Sequence, residues 1–321
     1  MKIFSVTSPK PRLGKTSLIS GLSNVLITQG KNVKIVNSIS SESSSDVLNS
    51  ELFPNNVVKS EIFNKNGSIN DDSEKIKKIK RILDSFEDET EYCFVESDLN
   101  SFESNNSLVS SLNSKSILVI DYSKDIKSIL KQYKGNFFGL IINNVPRFRM
   151  NKIKDDFLDS LRKDDVNVIG VIPEDRCLLS CTVDQLSEHI DGKFIYKTSS
   201  SNSSLVENIL IGGMVLDWSV HYFSSSFNVA AVIRGDRPDL QLGALQSGNV
   251  KVLILTKAIE PIEYVYYEAE KLGVPIILSE KDTQETVSLF ENIHTKSNFN
   301  HPEKLQRITD LVLTNCNMQL F

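Results

Sequence analysis

A short apolar strand that runs into Gly14-Lys15-Thr16 and then into a helix constrains this chain more than any other feature. Ile3, Phe4 and Val6 predict a buried strand, and Leu18, Ile19, Leu22, Val25 and Leu26 carry the helical period immediately after the loop. Strand, tight turn and helix in that order form the context of a phosphate-binding loop. The amides of Arg12, Leu13, Gly14, Lys15, Thr16 and Ser17 surround a helix N-terminus, where backbone donors and the helix dipole both favour an anion. Lys15 is expected to reach the terminal phosphates of ATP, and the Thr16 hydroxyl to sit on Mg²⁺. The loop departs from the usual pattern: Pro9 stands where a glycine is customary, and neither Pro9 nor Pro11 has an amide to donate.

Lys10-Pro11-Arg12-Leu13-Gly14-Lys15-Thr16 also resembles the deviant loop Lys-Gly-Gly-x-Gly-Lys-Thr/Ser of the chromosome-partition and septum-site ATPases. The resemblance implies that Lys10 reaches the nucleotide of a dimer partner and takes part in catalysis. The residues alone leave a second reading open, in which Lys10 only adds positive charge near a phosphate.

A carboxylate is the other group such a site needs. Tyr92-Cys93-Phe94-Val95-Glu96 reads as a buried strand ending in an acid, placed to hold the magnesium shell or orient water. Glu96 is therefore a candidate metal and catalytic residue, with Asp98 as its neighbour. Asn143 closes another apolar strand, 137–144, where an amide suits an adenine edge; a turn-forming Asn ahead of Pro146 is the alternative. The serine-rich stretch 38–50, containing Asp46, reads as a loop at the C-terminal end of a second strand, 32–37.

Strands at 117–120, 137–144 and 166–172 alternate with helices at 71–86 and 151–162. Near-continuous apolar strands of this kind predict an α/β fold: a parallel sheet with helices on both faces. Ser199 to Ser204 reads as a linker, dividing the chain into a nucleotide-binding domain, 1–198, and a smaller α/β domain, 205–321. The second part opens with a helix over 207–223 that buries Trp218, then alternates strands (229–233, 250–255, 274–278) with helices.

The acidic balance, 41 Asp+Glu against 36 Lys+Arg, argues against a nucleic-acid partner or an anionic membrane. No apolar run approaches the roughly 18 residues that cross a bilayer, and no signal peptide precedes the first strand, so a cytoplasmic protein is expected. Four scattered cysteines and four dispersed histidines show no metal or nucleophile spacing.

Several segments together resemble a dethiobiotin-synthetase-like domain, as found at the N-terminus of long phosphate acetyltransferases. They are Gly14-Lys15-Thr16, Val95-Glu96, Gly139-Leu140-Ile141-Ile142-Asn143, and Gly170-Val171-Ile172-Pro173-Glu174-Asp175 with Leu178-Leu179 and Thr182-Val183. Gly235-Asp236-Arg237-Pro238-Asp239, Gly243-Ala244-Leu245 and Gly273-Val274-Pro275-Ile276 are similar to a DRTGG domain, the module that follows in those acetyltransferases. Where that family often has Thr-Gly-Gly, this chain has Thr256-Lys257-Ala258. Asp236 and Arg237 are either a small-anion site or an ion pair that shapes the turn.

The resemblance implies a P-loop NTPase-type domain that binds ATP and Mg²⁺, coupled to a dimerising or effector-sensing module. Dethiobiotin synthetases carry a substrate lysine near the end of the second strand, where this chain has Asn37, so synthetase activity is not expected. With the sequence ending at Phe321 there is no room for an acetyltransferase domain, and that activity is not expected either. The leading reading is an ATP–Mg²⁺-binding regulatory protein with slow ATPase activity that forms a homo-oligomer. The alternatives are an ATP-dependent ligase or kinase on a small carboxylate, with Lys34 or Asp46 contributing, and a degenerate scaffold that binds no nucleotide.

Overall fold

A computed structural model describes residues 1–37, 52–53, 55–59, 72–86, 89–97, 101–122, 126–133, 136–153, 158–198 and 203–321, without the side chains of 58–59 and 294–296. The expected loop around Asp46, and Asp98 beside Glu96, lie outside the described residues. The chain divides into two units, residues 1–175 with 299–321, and residues 176–298.

The first unit is built on seven parallel strands: β1 (Lys2–Thr7), β2 (Val33–Asn37), β3 (Val57–Lys59), β4 (Tyr92–Glu96), β5 (Lys115–Asp121), β6 (Phe137–Val145) and β7 (Val168–Pro173). Their spatial order is β3-β2-β4-β1-β5-β6-β7, so the chain leaves β1 toward one edge and later fills the other. The reversal lies beside β1, and in open α/β sheets ligands bind outside the carboxyl ends of the strands at such a point. Central strands read as unbroken apolar runs because helices cover both faces.

One face is covered by α2 (Asp72–Asp84), α3 (Phe102–Ser111) and α4 (Ile126–Gln132). Ile76, Ile79 and Leu83 of α2 meet Leu108 of α3 over Val36, Cys93 and Val95 of the sheet. The lysines of α2 occupy its other side, as its amphipathic spacing predicts. Helix α1 (Lys15–Thr28) differs: Leu18, Ile19, Leu22, Val25 and Leu26 are buried, and so are Ser20, Gly21 and Ser23. A helix buried nearly all round needs cover on the side away from the sheet. The Pro302–Asn315 helix supplies it, with Asn24 Nδ2 donating to Thr309 Oγ1 at 3.0 Å.

The second unit carries a five-stranded sheet ordered β11-β12-β13-β14-β9, formed by β9 (Lys193–Tyr196), β11 (Asn208–Gly212), β12 (Val229–Arg234), β13 (Val250–Thr256) and β14 (Ile276–Leu278). β8 (Cys181–Thr182) and β10 (Leu205–Val206) form a separate antiparallel ribbon. β11 to β14 are parallel and β9 is antiparallel at one edge. Phe223, Leu240, Ala244, Val265 and Ala269 cover one face; Val183, Leu186, Ile190 and Ile293 cover the other.

Five expectations differ from the structure. The division between units falls at Asp175, not at the serine-rich stretch. Val183, Leu186 and Ile190 precede that stretch, yet they pack on β12 and β13. Residues 299–321 likewise belong to the first unit rather than to the C-terminal domain. The helix expected over 207–223 is β11 followed by a Leu216–Phe223 helix, because Gly212-Gly213 interrupts the apolar run. Trp218, expected in a core, is 63% exposed, since that helix buries only Ser219 and Phe223. The helix expected over 151–162 is described as Met150–Lys152 and Leu158–Lys163, with 154–157 outside the described residues. Among the described residues no helix is long and apolar enough to cross a membrane.

Candidate nucleotide site

The loop between β1 and α1 takes its shape from two residues in the left-handed region, Arg12 at φ 60° and Gly14 at φ 81°. Glycine adopts that region freely. At Gly14 a side chain would also displace Asn143, because a Cβ there would lie 2.4 Å from its Nδ2. Arg12 has no such freedom. A non-glycine residue in this conformation costs about 1–2 kcal/mol, so the loop keeps its conformation against the preference of one of its own residues.

The first backbone hydrogen bond at the start of α1 runs from Leu18 N to Gly14 O at 3.0 Å. The amides of Lys15, Thr16 and Ser17 therefore have no carbonyl partner within the helix. They open at the carboxyl end of the central strand, where the dipole of a 14-residue helix adds positive field. The Lys15 ammonium lies across the same loop, donating to Ser8 Oγ at 2.9 Å, while Ser8 Oγ donates to Lys10 O at 2.6 Å. Lys15 and Thr16 are both buried, and Lys10 and Arg12 are exposed.

Beside the loop stands the acid. Thr16 Oγ1 donates to Glu96 Oε1 at 2.6 Å, joining the first turn of α1 to the last residue of β4. Glu96 is in register with Val6 on one side and Asn37 on the other, so the three strand ends lie in a row. Next to it, Ser97 Oγ donates to Asn105 Oδ1 at 2.5 Å, and Asn105 Nδ2 donates to Ser101 O at 2.8 Å. Ser101 caps α3, so this chain of bonds ties the segment after Glu96 to a helix start.

Asn143 lies below the loop, not out in the open. Its Nδ2 donates to Leu13 O at 2.9 Å, supporting the backbone that leads into Gly14. The structure thus brings Arg12, Leu13, Gly14, Lys15, Thr16, Ser17, Glu96 and Asn143 together at one strand end. Ser8, as the partner of Lys15, escaped the sequence reading; a serine next to a proline carries no signal of its own. Asn37 was noticed only as the replacement of a lysine, and its position beside Glu96 comes from strand register. A hydroxyl and a carboxylate oxygen are hard donors of the kind Mg²⁺ takes, and they fit that ion better than a softer metal. Among the described residues no cluster of three His, Cys, Asp or Glu side chains exists to hold a metal without such a partner.

Asp236 and Arg237 in the second unit do not pair with one another. Arg234 pairs with Asp236, and the Arg237 guanidinium pairs with Asp239 at 2.8 Å. The hydrogen bonds from Arg234 and Arg237 hold the Asp236 and Asp239 carboxyls below their usual range. Gln241, fully buried, donates to Arg234 O at 2.9 Å and Gly235 O at 3.0 Å, which pins the turn from inside. Gly235 is required there: a Cβ would come within 2.1 Å of Ile259 O. Each guanidinium is thus already matched by a carboxylate, the arrangement of a turn-shaping pair. Lys257 and Ala258, at the Thr-Gly-Gly position, have φ of 70° and 53°, so the backbone keeps a conformation suited to glycine without the glycines.

Residues 185–293 match the model of the DRTGG domain. Among solved structures, the chain is similar to the MinD cell division protein of Aquifex aeolicus, at 17% identity over 56% of this chain and 85% of that one, with a TM-score of 0.39. It is similar to cobyrinic acid a,c-diamide synthase from Mycobacterium smegmatis with bound ADP and magnesium, at 13% identity over 55% and 88%, TM-score 0.37. A third similar structure comprises the CBS and DRTGG domains of the regulatory region of Clostridium perfringens pyrophosphatase complexed with diadenosine tetraphosphate, at 12% identity over 49% and 72%, TM-score 0.33. At these TM-scores the likenesses are weak, and the functional reading rests on the residues of the site.

Proposed function

We propose that this chain is an ATP–Mg²⁺-binding regulatory protein, in which a P-loop unit hydrolyses nucleotide slowly and a DRTGG-containing unit senses an effector or a partner. The observation that carries the reading is the Thr16–Glu96 hydrogen bond at 2.6 Å, with the Lys15 ammonium over the same loop. A hydroxyl, a carboxylate and an ammonium at the N-terminus of one helix are what a nucleoside triphosphate and its magnesium need. Bound there, the metal would neutralise phosphate charge and polarise the terminal phosphoryl group.

The chain's own residues have separate tasks in this reading. The amides of Arg12 to Ser17 would hold the phosphates, Lys15 would turn from Ser8 to a phosphate oxygen, and Thr16 and Glu96 would hold the metal. Asn143 keeps the loop at the height that makes this reach work. Lys10, exposed on the loop, is free to approach a nucleotide bound by a second copy, which would make hydrolysis depend on association. The shared order of motifs with the N-terminal region of long phosphate acetyltransferases supports a regulatory build of the same kind.

Calorimetry of ATP–Mg²⁺ binding to the wild type and to Lys15→Ala, with hydrolysis followed in the same sample, tests the reading. Binding that disappears in the variant is the expected outcome. Absence of binding by the wild type would show that Pro9 and Pro11 disable the cradle. Lys10→Ala is expected to slow hydrolysis and spare binding; equal loss of both would remove the cross-subunit role.

A further inference from the structure

In the first unit, the loop after β6 continues directly from the residue that supports the phosphate loop. Asn143 donates to Leu13 O, and Phe148 follows it by five residues. The turn Arg147–Arg149 is closed by Arg149 N, which donates to Pro146 O at 2.8 Å. Arg147 ties it to the loop after β7: its amide donates to Glu174 Oε1 at 3.3 Å, and its guanidinium to Asp175 Oδ2 at 3.2 Å. Asp175 Oδ2 also accepts from Arg307 at 2.7 Å. The carboxylates beside this turn are therefore matched from within the unit.

What the turn leaves in water is a ring. Phe148 is 80% exposed, more than any other large apolar side chain among the described residues. The Arg149 guanidinium lies 5.4 Å from its centroid and 5.5 Å from that of Tyr122, the residue that follows β5. A cation between two rings is attracted to both, so Phe148 is oriented before any ligand arrives. Binding to a group already ordered costs less conformational entropy than binding to a loose one. A flat aromatic face near the phosphate loop is a stacking platform, and every nucleobase has a face to stack.

Telling one base from another needs more than a face. A site rejects the wrong ligand strongly, by roughly 10⁴-fold, when that ligand leaves buried donors or acceptors unpaired. The enclosed groups at this strand end already have other tasks: Asn143 braces Leu13, and Asp175 holds two arginines. Half-buried Asp121, in register with Asn143, and exposed Asn144 keep water as an alternative partner, so a mismatched base costs them little. Given the nucleotide reading above, on which this rests, we propose that the site selects its ligand by phosphate and magnesium and holds the base only by stacking on Phe148. The ligand class is then nucleoside triphosphates irrespective of base, and Phe148 is the residue that tells a nucleotide from bare polyphosphate.

Calorimetry of the full chain in Mg²⁺ compares ATP, GTP, CTP, UTP and inorganic tripolyphosphate. The four nucleotides are expected to bind within about tenfold of one another, purines tighter, because stacking tolerates any base. Tripolyphosphate, which has no base, is expected to bind on the order of tenfold more weakly than ATP. Phe148→Ala is expected to bring the nucleotides down to the tripolyphosphate level and to leave tripolyphosphate unchanged. Phe148→Trp is expected to keep nucleotide binding, and Asn144→Ala to alter none of the five. One nucleotide bound roughly 100-fold or more tighter than the other three would overturn the proposal, since that ratio requires the base edge to be read. So would a Phe148→Ala variant that spares the nucleotides, or that weakens tripolyphosphate to the same extent. Tripolyphosphate that binds the wild type and is lost in Lys15→Ala, with Phe148→Ala silent, would leave the phosphate loop standing and remove only the base platform. No binding of any of the five would overturn both readings.

Discussion

Thr16 and Glu96 are 80 positions apart in the chain, and the hydroxyl of the first donates to the carboxylate of the second at 2.6 Å. The contact exists because β1 and β4 are adjacent parallel strands with Val6 and Glu96 in register, so the loop after one strand faces the last residue of the other. Replacing either group should therefore act on magnesium first. Glu96→Gln is expected to keep nucleotide binding in the absence of metal, and to lose the magnesium dependence of binding together with roughly 100-fold in turnover, the scale of removing one preorganised electrostatic group. Titration of Mg²⁺ at fixed ATP measures this; an unchanged magnesium midpoint would place the metal elsewhere.

Arg12 and Ala258 are non-glycine residues held at φ 60° and 53°, in loops of different units. Arg12→Gly and Ala258→Gly should each raise stability by about 1 kcal/mol, the left-handed penalty less the extra freedom glycine brings to the unfolded chain. Thermal unfolding of the two variants and their combination checks the sign. A lower melting temperature for Arg12→Gly would mean that the arginine side chain contributes more than its backbone costs.

Asp175 is almost fully buried and receives Arg307 at 2.7 Å and Arg147 at 3.2 Å. Arg307 lies on the Pro302–Asn315 helix, so this contact helps hold that helix to the unit of α1. Arg307→Met should destabilise by about 1.5–3 kcal/mol, the range for a hydrogen bond to a charged group. Hydrogen exchange should show amides of 302–315 and α1 losing protection together. Loss confined to one of the two helices would argue against their acting as one layer.

Burial pushes the thiols of Cys93 and Cys316 up to about 12, and the Tyr133 hydroxyl likewise to about 12. These groups are neutral when protonated, and the folded state holds their protons more tightly than the unfolded chain. Stability is therefore complete below the unfolded values and declines as pH rises from about 9 toward 12, by up to about 1.4 kcal/mol per pH unit for each group. Urea unfolding between pH 8 and 11 measures the slope, and Cys93→Ala should make it shallower. Both thiols should also resist alkylation in the native state at pH 8.

The turn between β1 and α1, the acid at the end of β4 and the parallel sheet were legible because each has a local signature: Gly-Lys-Thr between a strand and a helix, Val-Glu after an apolar run, and strands apolar on both faces. Asn143 was noticed for its position, but its bond to Leu13 O was not, since nothing local links residues 130 apart. The boundary at Asp175 and the return of 299–321 were missed for the same reason. Serine content reports the solvation of a loop, whereas membership in a core depends on which sheet a helix meets. Trp218 was misplaced because the apolar period of a short helix does not tell which of its faces meets the core.

Local chemistry along the chain thus determined which elements form and which chemical groups the turn after β1 carries. Tertiary structure alone decided strand order, and with it the contact of Thr16 with Glu96, the support of the loop by Asn143 and the cover over α1. The division has a physical cause. Backbone propensity and side-chain period act over a few residues, while register and packing are set by free energies shared among segments far apart in sequence, which no single segment contains.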